Sequence, residues 1–141
     1  MSAIESNADG DGPAIEVTGL ECGYDGQIVL KDVTFAVARG EIFFVIGGSG
    51  CGKSTLLRHL VGLHTPTKGK VKFLGRSFTE AGASERREML KTFGLLYQGG
   101  ALWTSLTIRE NVALPLEEYT SLTAREIQEI ATLKLAQVGL R

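Results

Sequence analysis

Ile42-Phe43-Phe44-Val45-Ile46-Gly47-Gly48-Ser49-Gly50-Cys51-Gly52-Lys53-Ser54-Thr55 is the stretch on which the fold turns. From Gly47 onward it satisfies G-x-x-x-x-G-K-[ST], a loop that wraps phosphate. The apolar run ahead of it predicts a buried strand over 41–46. Leu56, Leu57, Leu60 and Val61 follow at helical spacing and predict a helix from Lys53 to Gly62. Strand, glycine loop, helix is the order the chemistry needs. Glycines let successive backbone N–H groups turn inward on an anion, and the helix N-terminus adds partial positive charge. In such a loop Lys53 reaches the β- and γ-phosphates, and the Ser54 hydroxyl takes one position on Mg²⁺.

Upstream, residues 1–13 are polar and acidic and read as a disordered leader, followed by a domain over 14–141. Ile15 and Val17 alternate, as do Val33, Phe35 and Val37. Between the two runs Tyr24-Asp25-Gly26-Gln27 has the composition of a hairpin turn. An antiparallel, half-buried region therefore precedes the loop. Downstream, Gly69 to Leu74 reads as a strand with Val71 and Phe73 on one side. Ser84 is placed to cap a helix through about Lys91, and Gly94–Tyr97 reads as a second buried strand ending at Gln98. Thr107-Ile108-Arg109-Glu110 and Thr123-Ala124-Arg125-Glu126 are capping boxes. The second opens a helix with Ile127, Ile130, Ala131, Leu135 and Val138 on one face and Gly139 as its stop.

The 141 residues carry a net charge of -1 with 43% hydrophobic and 22% charged residues, so no basic footprint points to nucleic acid. No apolar run approaches the roughly 20 residues that span a bilayer, and no secretory signal is visible. The expected location is the cytoplasm. Cys22 and Cys51 have neither metal spacing nor a disulfide framework. Cys51 reads as a small filler within the loop. His59 is assigned to the helix face opposite Leu56, Leu57 and Leu60, and His64 to just beyond its end; both read as surface or boundary residues.

Tyr24 ahead of the loop, the glycine loop itself, and Gln98 after a strand form a set that resembles the ATP-binding subunits of ABC transporters. The resemblance runs from about Ile15 to the C-terminus and includes VLKDVTFAVARGEIFFVIGGSGCGKSTLLRHLVGL (29–63) and TPTKGKV (65–71). It implies an α/β fold: a P-loop core with an antiparallel β subdomain and the start of a helical one. It implies ATP and Mg²⁺ as ligands, held by Tyr24 and by Gly47, Gly48, Ser49, Gly50, Cys51, Gly52, Lys53, Ser54 and Thr55. Tyr24 would stack on adenine, a contact worth about 1–3 kcal/mol. Lys53 and Gln98 would serve the reaction, and Ser54 and Gln98 the metal. The alternatives are a half-buried strand tyrosine and a polar strand terminus.

YQGGALWTSLTIRENVALPLEE (97–118) and KLAQVGLR (134–141) are similar to the ATPases of Mla-type systems, which work with MCE-domain proteins. That similarity implies phospholipid movement in a Gram-negative envelope. The expected partners are an integral-membrane permease, a second ATPase copy and an MCE-domain protein, with the subunit peripheral on the inner face of the membrane. Leu102, Trp103 and Leu106 would anchor the permease, unless Trp103 packs inside its own domain. A non-transport ABC-type ATPase or another P-loop module is the alternative. The family's L-S-G-G-Q signature, its Asp-Glu strand end and its switch histidine do not occur in residues 1–141. The chain therefore reads as the N-terminal part of a longer protein, not expected to hydrolyse ATP alone.

Overall fold

The computed structural model describes residues 12–140, so all of the expected leader except Gly12 and Pro13 lies outside it. The described residues divide into two compact units, 12–92 and 93–140.

The first unit is built on β1 (Ile15–Tyr24), β2 (Gln27–Val37), β3 (Lys68–Phe73) and β4 (Arg76–Ser77), with α1 (Lys53–Leu60) and α2 (Ala83–Leu90). The sheet is antiparallel in the order β2-β1-β3-β4. The expected hairpin forms between β1 and β2. Its two turn residues, Asp25 and Gly26, take φ 52° and 77°, the positive angles that match the twist of the flanking strands. Strand β1 changes its facing residues midway. Val17 and Leu20 are both fully buried although three residues apart, because the register shifts around Gly19. After that bulge Leu20 and Cys22 are buried, and Val37, Leu56, Val71, Phe73, Phe78 and Met89 complete the buried apolar set of this unit. The Phe73 and Phe78 rings meet edge to face at 5.3 Å. Cross-strand pairs Lys72–Glu16 and Lys68–Glu21, both at 3.2 Å, lie over β1 and β3.

Two expected strands do not form. Residues 41–46 adopt no regular structure and are exposed, Ile46 at 90%. Residues 94–97 are likewise irregular, with Leu96 at 88%. A strand exists only through lateral hydrogen bonds, and among the described residues no strand pairs with either run. Within the first run, Phe43 stacks its ring on Phe35 of β2 at 5.0 Å, and Glu41 bonds Ala38. Helix α2 also differs in its start: it opens after Gly82, and Ser84 lies inside it rather than capping it.

The second unit pairs α3 (Ile108–Tyr119) with α4 (Ala124–Gln137) around Ala113, Ile127 and Ala131. Val112, Leu116 and Leu122 pack on this core. Both capping boxes form: the Thr107 and Thr123 side chains accept from the N–H groups of Glu110 and Glu126, and each glutamate accepts in return. Gly139 stops α4 at φ 79°. Val138 falls past the helix end and is 71% exposed, so the expected apolar face of α4 is one residue shorter.

Candidate nucleotide-binding site

Gly47 to Gly52 form an irregular loop that delivers the chain into α1. Lys53 folds back over it: Nζ donates to Gly47 O at 2.7 Å and Gly48 O at 2.6 Å, and to Cys51 Sγ at 3.4 Å. The ammonium is therefore held at the loop mouth by the loop's own carbonyls. Gly52 is the N-cap of α1, with no side-chain cap and no acidic residue in the first turn. That leaves the first N–H groups of the helix for an anion, as the dipole favours. Helices α3 and α4 close their own N-termini with Glu110 and Glu126 instead. A β-carbon at Gly48 or Gly50 would meet nothing within 4 Å, so the space in front of the loop is open. Gly52 is the opposite case. A β-carbon there would lie 2.9 Å from Leu30 Cγ, so this glycine is wedged against β2.

Ser54 is exposed on the first turn, and among the described residues no three His, Cys, Asp or Glu side chains are grouped to hold a metal. Mg²⁺ is commonly held by one or two protein ligands plus substrate phosphates, and one hydroxyl beside an open anion cradle fits that donor pattern. Tyr24 sits at the end of β1 next to the turn, half exposed, so its ring can receive a flat partner. Gln98 belongs to the second unit and lies exposed in a turn rather than at a strand end. Behind the loop, a cavity of about 240 Å³ is lined by Val45, Lys53, Ser54, Leu56, Leu57 and Leu60.

Two residues were missed or misplaced in the sequence reading. His59 is 1% exposed, not a surface residue, whereas Leu57 is exposed. The available signal was its spacing of three from Leu56, which puts both on one helical face. Asn111 was not singled out. Its side chain accepts from Trp103 N at 2.8 Å and donates to Trp103 O at 3.0 Å and Thr107 O at 2.9 Å. The loop before α3 is thereby pinned, and Trp103 and Leu102 stand 65% and 62% exposed while Leu106 is half-buried. Trp103 is not packed inside its unit.

A hairpin sheet laid against a glycine loop and its helix defines the N-terminal region of an ATP-binding cassette. Residues 30–141 match the family model described as ABC transporter, and the chain belongs to that family. It is similar to the probable ribonucleotide transport ATP-binding protein mkl of Mycobacterium tuberculosis (strain ATCC 25618 / H37Rv), 40% identical over 92% of this chain and 36% of that protein. It is also similar to the intermembrane phospholipid transport system ATP-binding protein MlaF of Haemophilus influenzae, 35% identical over 90% of this chain and 48% of that protein. Among solved structures, it superposes on the ATP-binding cassette MJ0796 in its dimeric, ADP- and phosphate-bound post-hydrolysis form. There the TM-score is 0.79 and the identity 26%, over 90% of this chain and 58% of the other. The chain thus spans between about a third and a half of the length of the two curated relatives, 36% and 48%. No helix among the described residues is long and apolar enough to cross a membrane.

Proposed function

We propose that this chain is the Mg-ATP-gripping part of an ABC transporter ATP-binding subunit, and that the full-length protein drives phospholipid transport. The observation that carries the nucleotide assignment is the Lys53 ammonium, poised at 2.6–2.7 Å from two loop carbonyls at the mouth of an uncapped helix. On binding, Lys53 exchanges those carbonyls for phosphate oxygens, an ionic partner that a neutral carbonyl cannot match. The loop amides orient the phosphates, and Tyr24 covers the adenine face. Bound Mg²⁺ supplies charge neutralisation on the phosphates; Ser54 and Gln98 are the proposed ligands in the complete protein. Lys53→Ala should weaken Mg-ATP binding by roughly two orders of magnitude or more, since a charged hydrogen bond contributes about 1.5–3 kcal/mol and two phosphates are contacted. Calorimetry on the full-length protein decides this, and an unchanged affinity refutes the assignment.

Phospholipid as cargo rests on similarity to the MlaF protein, whereas the mycobacterial relative is named for ribonucleotide transport. The proposed assembly is two ATPase copies on the inner membrane face, a permease seated on Leu102, Trp103 and Leu106, and an MCE-domain protein. Co-purification of these partners with bound phospholipid supports the lipid reading. ATPase stimulation by a nucleoside, with no lipid in the complex, refutes it.

A further inference from the structure

His59 bridges the two ends of the candidate site. One ring nitrogen, Nε2, accepts from Gly23 N–H at 3.4 Å, and Nδ1 lies 2.8 Å from Thr55 O. Because Nε2 accepts, the ring hydrogen is assigned to Nδ1, which donates to the carbonyl. The backbone explains why Gly23 needs this partner. In β1, residues two apart direct their N–H and C=O to the same side. Glu21 O already accepts from Thr67 N, and β1–β3 pairing ends at Glu21 with Lys68. Gly23 therefore points its N–H to the side where β3 has run out. The imidazole occupies that place and satisfies a donor that would otherwise be left unpaired. The position requires glycine: a β-carbon there would sit 2.1 Å from Gln27 O, so the strands approach too closely for any other residue. The ring is 1% exposed and is flanked by His64, 5.5 Å away.

The consequence lies in the neighbours of the two bonded residues. Gly23 immediately precedes Tyr24, and Thr55 is the last residue of the phosphate loop motif. We propose that His59 is a positioning residue that holds Tyr24 and the helix carrying Lys53 and Ser54 at a fixed separation, so that one aromatic nucleoside triphosphate is gripped at base and phosphates together. This inference rests on the Mg-ATP reading above. It assigns His59 no contact with the ligand itself.

The test compares Mg-ATP with Mg-tripolyphosphate, which has the phosphates but no base, on the full-length protein. Gln at this position retains an acceptor at the reach of Nε2, whereas Leu keeps volume and loses it. His59→Leu should weaken Mg-ATP about two- to tenfold, the loss of one hydrogen bond, and leave tripolyphosphate unchanged. His59→Gln should restore ATP affinity to within about twofold of the parent, a difference too small to count as a lost hydrogen bond. Should His59→Leu fail to fold by thermal melting, His59→Asn carries the same comparison, since it can still bond Thr55 O but falls short of Gly23. Equal losses for both ligands, or no loss for either, overturn the positioning role. A parent protein that binds the two ligands equally overturns it too, while leaving the phosphate loop standing. A parent that binds neither overturns both readings.

Discussion

Gly52→Ala gives two separable costs that the structure allows to be worked out. Gly52 adopts φ 96° and ψ 5° at the head of α1. Left-handed backbone disfavours alanine by about 1–2 kcal/mol. The added methyl would also stand 2.9 Å from Leu30 Cγ and 3.0 Å from its Cδ2. Overpacking of this kind costs about 1–3 kcal/mol, and the lower end applies because Leu30 is a rotatable, partly exposed side chain. The expected total is about 2–3 kcal/mol, read as a lower urea midpoint with unchanged slope. Trimming the obstacle separates the terms. Gly52→Ala combined with Leu30→Ala should be more stable than the summed single losses by about 1 kcal/mol, the steric share alone. A strictly additive pair would show that Leu30 does not limit the site. A Gly52→Ala protein within about 0.5 kcal/mol of the parent, the scatter of ordinary surface changes, would refute the conformational argument as well.

The Glu110 and Glu126 carboxyls are held below the usual carboxylate range, Glu110 first by the Thr107 backbone N–H and Glu126 first by the Thr123 hydroxyl. A depressed folded value means their stabilisation is present above the unfolded value of about 4.3 and is lost as pH falls through the folded one. Far-UV circular dichroism should therefore lose helix as the pH falls below that unfolded value and through the depressed folded one, and Glu110→Gln with Glu126→Gln should flatten that loss; an unaltered profile counts against the capping boxes. In the full-length protein Trp103→Ala should leave thermal stability unchanged, because the ring is 65% exposed, yet remove the proposed permease from the purified complex. Asn111→Ala should reproduce the loss of permease by freeing the loop, and an intact complex in both variants refutes docking through Trp103. Cys51 is exposed, whereas Cys22 is buried and its thiol is pushed up by that burial, so a maleimide should label Cys51 first. Mg-ATP should slow that labelling on a Cys22→Ser background; equal rates would move the nucleotide away from the loop.

Features encoded within a few residues were legible in the sequence. The capping boxes depend on side chains bonding backbone three positions away, and the Asp25-Gly26 turn, the entry from Gly52 into α1 and the Gly139 stop depend on positive φ angles at those residues. The phosphate loop is of the same kind, since its glycines and Lys53 act within one turn of chain. What the sequence left undecided needed partners far along the chain. Ile42–Ile46 and Gly94–Tyr97 have the composition of buried strands, but composition supplies no lateral hydrogen bonds, and no described strand lies beside them. His59 looked like a surface residue because its helix was read with a single apolar face. Tertiary structure turned it onto β1, where the end of β3 leaves Gly23 N–H in need of an acceptor. Trp103 was ambiguous for a related reason: an apolar ring in a loop can pack inward or outward, and the fold leaves it 65% exposed, its backbone bonded by the Asn111 amide and the Leu106 N–H.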